Sequence, residues 1–117
     1  MQWIAVALGG AFGSCLRFAF GRWFVFSGLG LPIATLLSNL LACMAMAVVL
    51  FSTRQLPDAL LRAFLLVGFC GGLSTFSTFG YETMLFLKTG QLGWALANIG
   101  ISIALSLSLL ALGMGRM

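Results

Sequence analysis

Charge is what this sequence has least of. Its 117 residues include six Lys or Arg, two acids and no histidine, 7 % charged in all. A soluble domain carries about 25 %, and lipid is the simplest reason to abandon that level. Charge is missing altogether from residues 1–16, 23–53, 63–81 and 89–115. These absences exclude a soluble enzyme, a nucleic-acid-binding domain and any separate extramembrane domain. Cys15, Cys43 and Cys70 are odd in number and fit no metal-ligand spacing, and there is no histidine to complete one. All three lie in apolar stretches and are expected to pack as small apolar side chains. The N-terminus lacks the charged n-region of a signal peptide, so it reads as a retained first span.

What is present is 62 % apolar sequence, in four blocks. A spanning helix needs roughly 20 apolar residues at about 1.5 Å each. The spans are placed at about 3–26, 32–52, 59–87 and 92–114. Gly28 and Gly30 separate the first two before Pro32, a residue suited to a first helical turn. Thr53-Arg54-Gln55 and Pro57-Asp58 mark the second loop, and Lys88-Thr89-Gly90-Gln91 a short hairpin. The third span is expected to be interrupted at Gly71-Gly72. The fold class is an all-α integral membrane protein, one four-helix domain over residues 1–117, with any chemistry inside the membrane.

Arg54, Arg62 and Arg116 fall on one side of this arrangement; Arg22, Lys88 and the deeper Arg17 fall on the other. Three against three leaves the positive-inside rule without a preference. Two readings follow: a weakly biased monomer of fixed orientation, or a protein that inserts both ways up. In the second, oppositely inserted copies pair about a two-fold axis in the membrane plane. The net charge of +4 sits at span ends and loops, where it anchors lipid headgroups rather than nucleic acid.

Polar residues then pick out faces. Gly9, Gly10 and Gly13 form a small-xxx-small pattern for close helix approach. Arg17, four residues on, either snorkels or lines a wet vestibule that attracts anions. Thr35, Ser38, Asn39 and Ala42 share a face of the second span. The Asn39 amide serves either as an interhelical hydrogen bond or as a donor to an anion. Asn98, Ser102 and Ser106 step by four along the fourth span. They either bond back to their own helix or line a pore, where uncharged groups replace the water of a passing ion. Gly93, Ala97, Gly100, Ala104 and Ala111 lie nearly opposite, where a neighbouring helix is expected. Glu82, the one acid outside the second loop, is either a proton-coupling group or, as its place near Lys88 suggests, a span-end residue close to water.

The most informative run is GFCGGLSTFSTF at 68–79. Tandem glycines and four hydroxyls weaken the helix at mid-span, and irregular backbone there must be buried in protein or line a wet cavity. Freed carbonyls around Gly71 and Ser74 suit a hard cation. Phe76 and Phe79, at i and i+3 beside Ser77 and Thr78, either pack or turn their positive ring edges toward an anion.

With these motifs in order, the whole chain resembles the Fluc family, also called CrcB: small membrane proteins acting as fluoride channels. The residues that carry the likeness are Gly9-Gly10-Ala11-Phe12-Gly13 with Arg17-Phe18, then Thr35 to Asn39, then GFCGGLSTFSTF with Ser74 where threonine is usual. The resemblance implies an antiparallel, dual-topology homodimer with two pores. It implies a central structural sodium held by the carbonyls of Gly71 and Ser74 in each subunit. Phe76 and Phe79 are implied as pore lining with Asn39 nearby, Arg17 at the vestibule, and Asn98, Ser102 and Ser106 as a polar track beside Ser77 and Thr78. Asn98 stands where the family often has tyrosine.

The expected function is therefore passive fluoride export through a bacterial plasma (inner) membrane, with no enzyme activity and no nucleic-acid partner. Hydrogen fluoride enters cells as a weak acid and ionises inside, and the membrane potential drives the anion out. No ATP-binding motif or proton relay is visible. The competing reading is a small multidrug-type proton antiporter. It needs a carboxylate in the first span, and residues 1–16 contain none. A third is a non-transporting membrane subunit, in which the polar stripe only glues helices.

Overall fold

The computed structural model describes residues 1–28, 30–52 and 58–115. Arg54 and Arg116 of the charge count lie outside the described residues, as do Thr53, Gln55 and Pro57 of the second loop. Every described element is helical. The order is α1 (Gln2–Phe26), α2 (Leu31–Ser52), α3 (Ala59–Arg62), a π-helical stretch (Ala63–Cys70), α4 (Gly71–Leu73), α5 (Phe76–Lys88) and α6 (Leu92–Met114). Four segments are long and apolar enough to cross a bilayer: Gln2–Phe26, Pro32–Phe51, Ala59–Lys88 and Leu92–Met114. The longest dimension is 50 Å, ample for a hydrocarbon core of about 30 Å.

Local chemistry sets the ends of these elements. Asp58 caps α3, its carboxylate accepting the Leu60 N–H at 2.8 Å. At the far end of the same span the chain turns at Gly90, with φ of +73°. The Gly90 N–H bonds to the Leu87 carbonyl at 3.1 Å and the Gln91 N–H to the Phe86 carbonyl at 2.8 Å. This is the Schellman pattern, and it makes the hairpin into α6 as tight as the Lys88–Gln91 spacing implies.

The tightest seam in the protomer joins α1 to the first part of the third span. A Cβ on Gly68 would meet the Val6 carbonyl oxygen at 2.7 Å, and one on Gly13 would collide with the Phe69 carbonyl. Backbone lies directly on backbone here, which only glycine permits. The small-xxx-small pattern of the first span is thereby paired with Gly68 and Gly72. Against this seam the π-helical stretch runs for eight residues, a conformation usually confined to single turns. Its sequence, AFLLVGFC, is apolar throughout and carries no period that distinguishes π from α.

One expectation is corrected. The tandem glycines do not interrupt the third span: Gly71–Leu73 is helical, and Gly71 itself has φ −64°, ψ −36°. The chain leaves helical geometry two residues later, at Ser74 (ψ 155°) and Thr75 (φ −150°, ψ 120°). Gly72 is there for contact, since a Cβ on it would meet the backbone of Gly10. The small-residue stripe of α6 is open on the protomer. Among the described residues, nothing lies within 4 Å of a Cβ placed on Gly93 or Gly100, and Ala104 and Ala111 are exposed. Instead α6 meets α2 closely at Gly113, where a Cβ would lie 2.5 Å from that of Ala47.

Candidate ion pathway

Thr75 organises the centre of the site. As N-cap of α5 its hydroxyl accepts the Thr78 N–H at 3.3 Å and donates to the Thr78 hydroxyl at 3.1 Å. Ser77 Oγ lies 3.4 Å from the same oxygen. Its backbone is gripped from α2: the Thr75 N–H donates to Asn39 Oδ1 at 2.7 Å, and Asn39 Nδ2 donates to the Thr75 carbonyl at 3.3 Å. An amide matches a peptide group in kind, so Asn39 supplies at the interruption what a helical neighbour would supply elsewhere. One of its two amide hydrogens is used, and one remains. The Asn39 side chain thus makes the interhelical bond named as its first alternative, while keeping a donor for a second partner.

Around this clamp a cavity of about 570 Å³ opens between α1, α2 and the start of α5. Arg17, Arg22, Ser38, Thr35, Thr75 and Thr78 contribute to its lining. Arg17 is half-buried, with an Nε that has no hydrogen-bond partner among the described residues. The buried hydroxyl of Ser38 is likewise unpartnered. Two guanidinium groups and several hydroxyls in a cavity otherwise lined by apolar side chains such as Phe18, Val25 and Phe26 can attract and partly desolvate an anion.

Glu82 departs from its expected place. Far from sitting in water at the span end, it is 4 % exposed, and Oε1 accepts the Thr35 hydroxyl at 2.6 Å. Its Oε2 is buried without a partner among the described residues. The reason is geometric: Glu82 stands six positions before Lys88 on α5, which places it more than one and a half turns deeper than Lys88.

Beyond the interruption, Phe76 and Phe79 form a tilted pair with ring centroids 5.8 Å apart. Phe76 is 84 % exposed on the protomer, whereas Phe79 is half-buried. Asn98 of α6 reaches the same neighbourhood through Thr83. Asn98 Nδ2 donates to the Thr83 hydroxyl at 3.0 Å, which in turn donates to the Phe79 carbonyl at 2.8 Å. Ser102 is buried and Ser106 half-buried on α6, and among the described residues neither hydroxyl makes a hydrogen bond, including back to its own helix. Neither is joined to the Thr75 cluster. Gly71 is exposed and Ser74 half-buried, both on the surface of the protomer beside that cluster.

The structure thus brings Asn39, Ser77 and Thr78 together around Thr75, Arg17 and Thr78 around one cavity, and Asn98 to Phe79. Thr75 and Thr83 escaped the sequence reading. A signal existed for Thr75, because a threonine just ahead of a restarting helix is a standard cap. For Thr83 only the i+4 spacing from Phe79 pointed inward.

The chain matches, over residues 4–114, the family described as CrcB-like protein, Camphor Resistance (CrcB). A Psychrobacter arcticus protein named fluoride-specific ion channel FluC is 38 % identical over 118 residues, covering 97 % of this chain and 94 % of the relative. Burkholderia mallei has one of the same name, 39 % identical over 95 % of this chain and 88 % of its own length. A third, from Serratia proteamaculans, is 39 % identical over 89 % and 84 %. The chain belongs to the CrcB family. The match takes in every candidate residue described above, from Arg17 to Ser106, and the resemblance read from the three sequence motifs is therefore correct.

Proposed function

We propose that this CrcB chain is a fluoride-specific ion channel that lets fluoride leave a bacterial cell passively across its plasma membrane. The observation that carries this is the near-full-length relationship to proteins named as such channels. The geometry is consistent with it. An interrupted third span, two arginines and several hydroxyls lining one cavity suit an anion path. The relatives favour a channel over the multidrug-type antiporter, and passage of an ion makes and breaks no covalent bond.

In this reading Arg17 draws fluoride into the cavity as vestibule. The free amide hydrogen of Asn39, the hydroxyls of Ser77, Thr78, Ser102 and Ser106, and the Asn98 amide replace its water in turn. Phe76 and Phe79 offer ring edges, a weaker attraction that keeps the ion moving between stronger sites. The working unit is an antiparallel homodimer of one four-helix domain, its third span broken at membrane depth. Support comes from the balanced charge count, and from a Phe76 and a Gly71 left exposed on the single protomer. A structural sodium at the dimer centre suits the site because the carbonyls of Gly71 and Ser74 accept no hydrogen bond among the described residues. Those two oxygens would hold the ion, which supplies positive charge that ties the subunits together.

The test is fluoride efflux from liposomes containing the purified protein. Fluoride release without chloride release is expected, and absence of fluoride release overturns the function. Lysines added to one side should fix orientation and abolish flux, with co-expression of the oppositely biased variant restoring it. Full flux from one fixed orientation would overturn the dimer.

A further inference from the structure

In a continuous helix each N–H bonds to the carbonyl four residues back; where a helix stops these bonds lapse, and a side chain that takes a freed donor keeps it from returning. At the interruption the two diversions can be named. Ser74 still follows the rule, its N–H reaching the Cys70 carbonyl at 3.0 Å. The next donor, Thr75 N–H, belongs by register to the Gly71 carbonyl but goes to Asn39 Oδ1 at 2.7 Å. Three residues on, Thr78 N–H belongs to the Ser74 carbonyl but goes to Thr75 Oγ1 at 3.3 Å. The oxygens of Gly71 and Ser74 are thereby released, beside those of Leu73 and of Gly72, the latter taking the Ser14 hydroxyl at 3.5 Å.

We propose that Thr75 and Asn39 are positioning residues for a cation site, withholding two main-chain donors so that the Gly71 and Ser74 carbonyls stay free for sodium. This rests on the sodium reading given above and adds its cause. Neither side chain touches the ion. Asn39 Oδ1 takes one donor, while Asn39 Nδ2 on the Thr75 carbonyl fixes the extended peptide in place. The Thr75 hydroxyl takes the other donor and is itself oriented by the bond it gives to Thr78. Thr75 is 8 % exposed, so water does not readily compete for its oxygen. The device also links two parts of the molecule: the amide that shapes the cation site has one hydrogen left for the anion path. Glycine at 71 fits the same purpose, since a Cβ there meets nothing among the described residues, which leaves its open side to a second copy.

The experiment compares the thermal midpoint of detergent-purified protein prepared throughout in sodium, potassium or N-methylglucamine chloride. Wild type should gain stability in sodium alone. Thr75→Val keeps the shape and removes the acceptor, so Thr78 N–H returns to Ser74; Asn39→Leu returns Thr75 N–H to Gly71. Both should stay folded and lose the sodium-dependent shift, whereas Thr75→Ser should keep it. A wild type indifferent to sodium overturns the sodium reading and this inference with it. A sodium shift in wild type that Thr75→Val and Asn39→Leu both retain overturns the positioning role alone. Should Thr75→Val fail to fold, Thr75→Ala takes its place, and a full sodium shift in that variant counts against the proposal equally.

Discussion

The third span is made of two unlike pieces. Up to Leu73 it is apolar and held by contact: its glycines lie against those of α1, and its backbone widens into a π-helix with few polar side chains in reach. From Ser74 onward it is held by direction, with Asn39, Thr75, Thr78, Thr83 and Asn98 joined by hydrogen bonds of defined donor and acceptor. Lipid explains the division. Among apolar tails there is no hydrophobic drive between helices, so one piece gains its stability from close packing and the other from polar groups that have no water alternative. Contact can be built from any small residue, whereas direction needs particular side chains. Damage to the first piece should therefore appear as loss of protein, and damage to the second as loss of conduction.

The largest effect is expected at the seam. Gly68→Val places its branched side chain where the Val6 carbonyl and the Gly10 amide nitrogen already sit, at 2.7 and 3.0 Å from the Cβ alone. Overpacking of about 1–3 kcal/mol is usual where neighbours can shift, and backbone on both sides shifts least. Folded yield on size exclusion should fall to near background. Wild-type yield would show that the seam yields, and the contrast between the two pieces would be lost.

Next come Phe76→Ile and Phe79→Ile, which keep most of the apolar volume and remove the ring edges. Yield and assembly should stay near wild type while fluoride efflux from liposomes drops by about tenfold or more, about 1.4 kcal/mol on the barrier. Normal flux through both variants would assign the rings to packing.

These two cases also show what the sequence disclosed and what it withheld. Four spans, the hairpin at Gly90 and the glycine pattern of α1 were legible, because each depends on local composition or on a residue with few conformational alternatives. The site was legible as a region, through GFCGGLSTFSTF and Asn39. Its centre was not: tandem glycine drew the interruption to 71–72, yet those residues stay helical, and the departure comes where Thr75 caps α5. A glycine permits both a break and a close contact, and only the partner helix decides which. For the same reason the depth of Glu82 and its bond to Thr35, 47 positions away in the chain, left no local trace.

A smaller effect is expected at Thr83, which joins α5 to α6. Thr83→Val leaves the Asn98 amide without its partner, at a net cost of about 1 kcal/mol. Flux should fall a few-fold as Asn98 loses its fixed orientation, and Thr83→Ser should restore it. Equal flux in the valine variant would separate Asn98 from the pathway and leave Thr83 as a helix tie.

The smallest effect tests whether composition alone makes a seam. Gly100 on α6 belongs to a stripe of small residues much like that of α1, yet none of the described residues lies within 4 Å of a Cβ added there. Alanine at this position removes a residue that costs a helix interior about 1 kcal/mol. Gly100→Ala should therefore unfold no earlier than wild type and conduct at the same rate, while Gly68→Ala, with the same added methyl, loses stability. The pair differs only in what the methyl meets. If Gly100→Ala costs as much as Gly68→Ala, the α6 stripe is covered in the assembled channel. The division between contact and direction would then extend past the third span, to the face that α6 turns toward its partner.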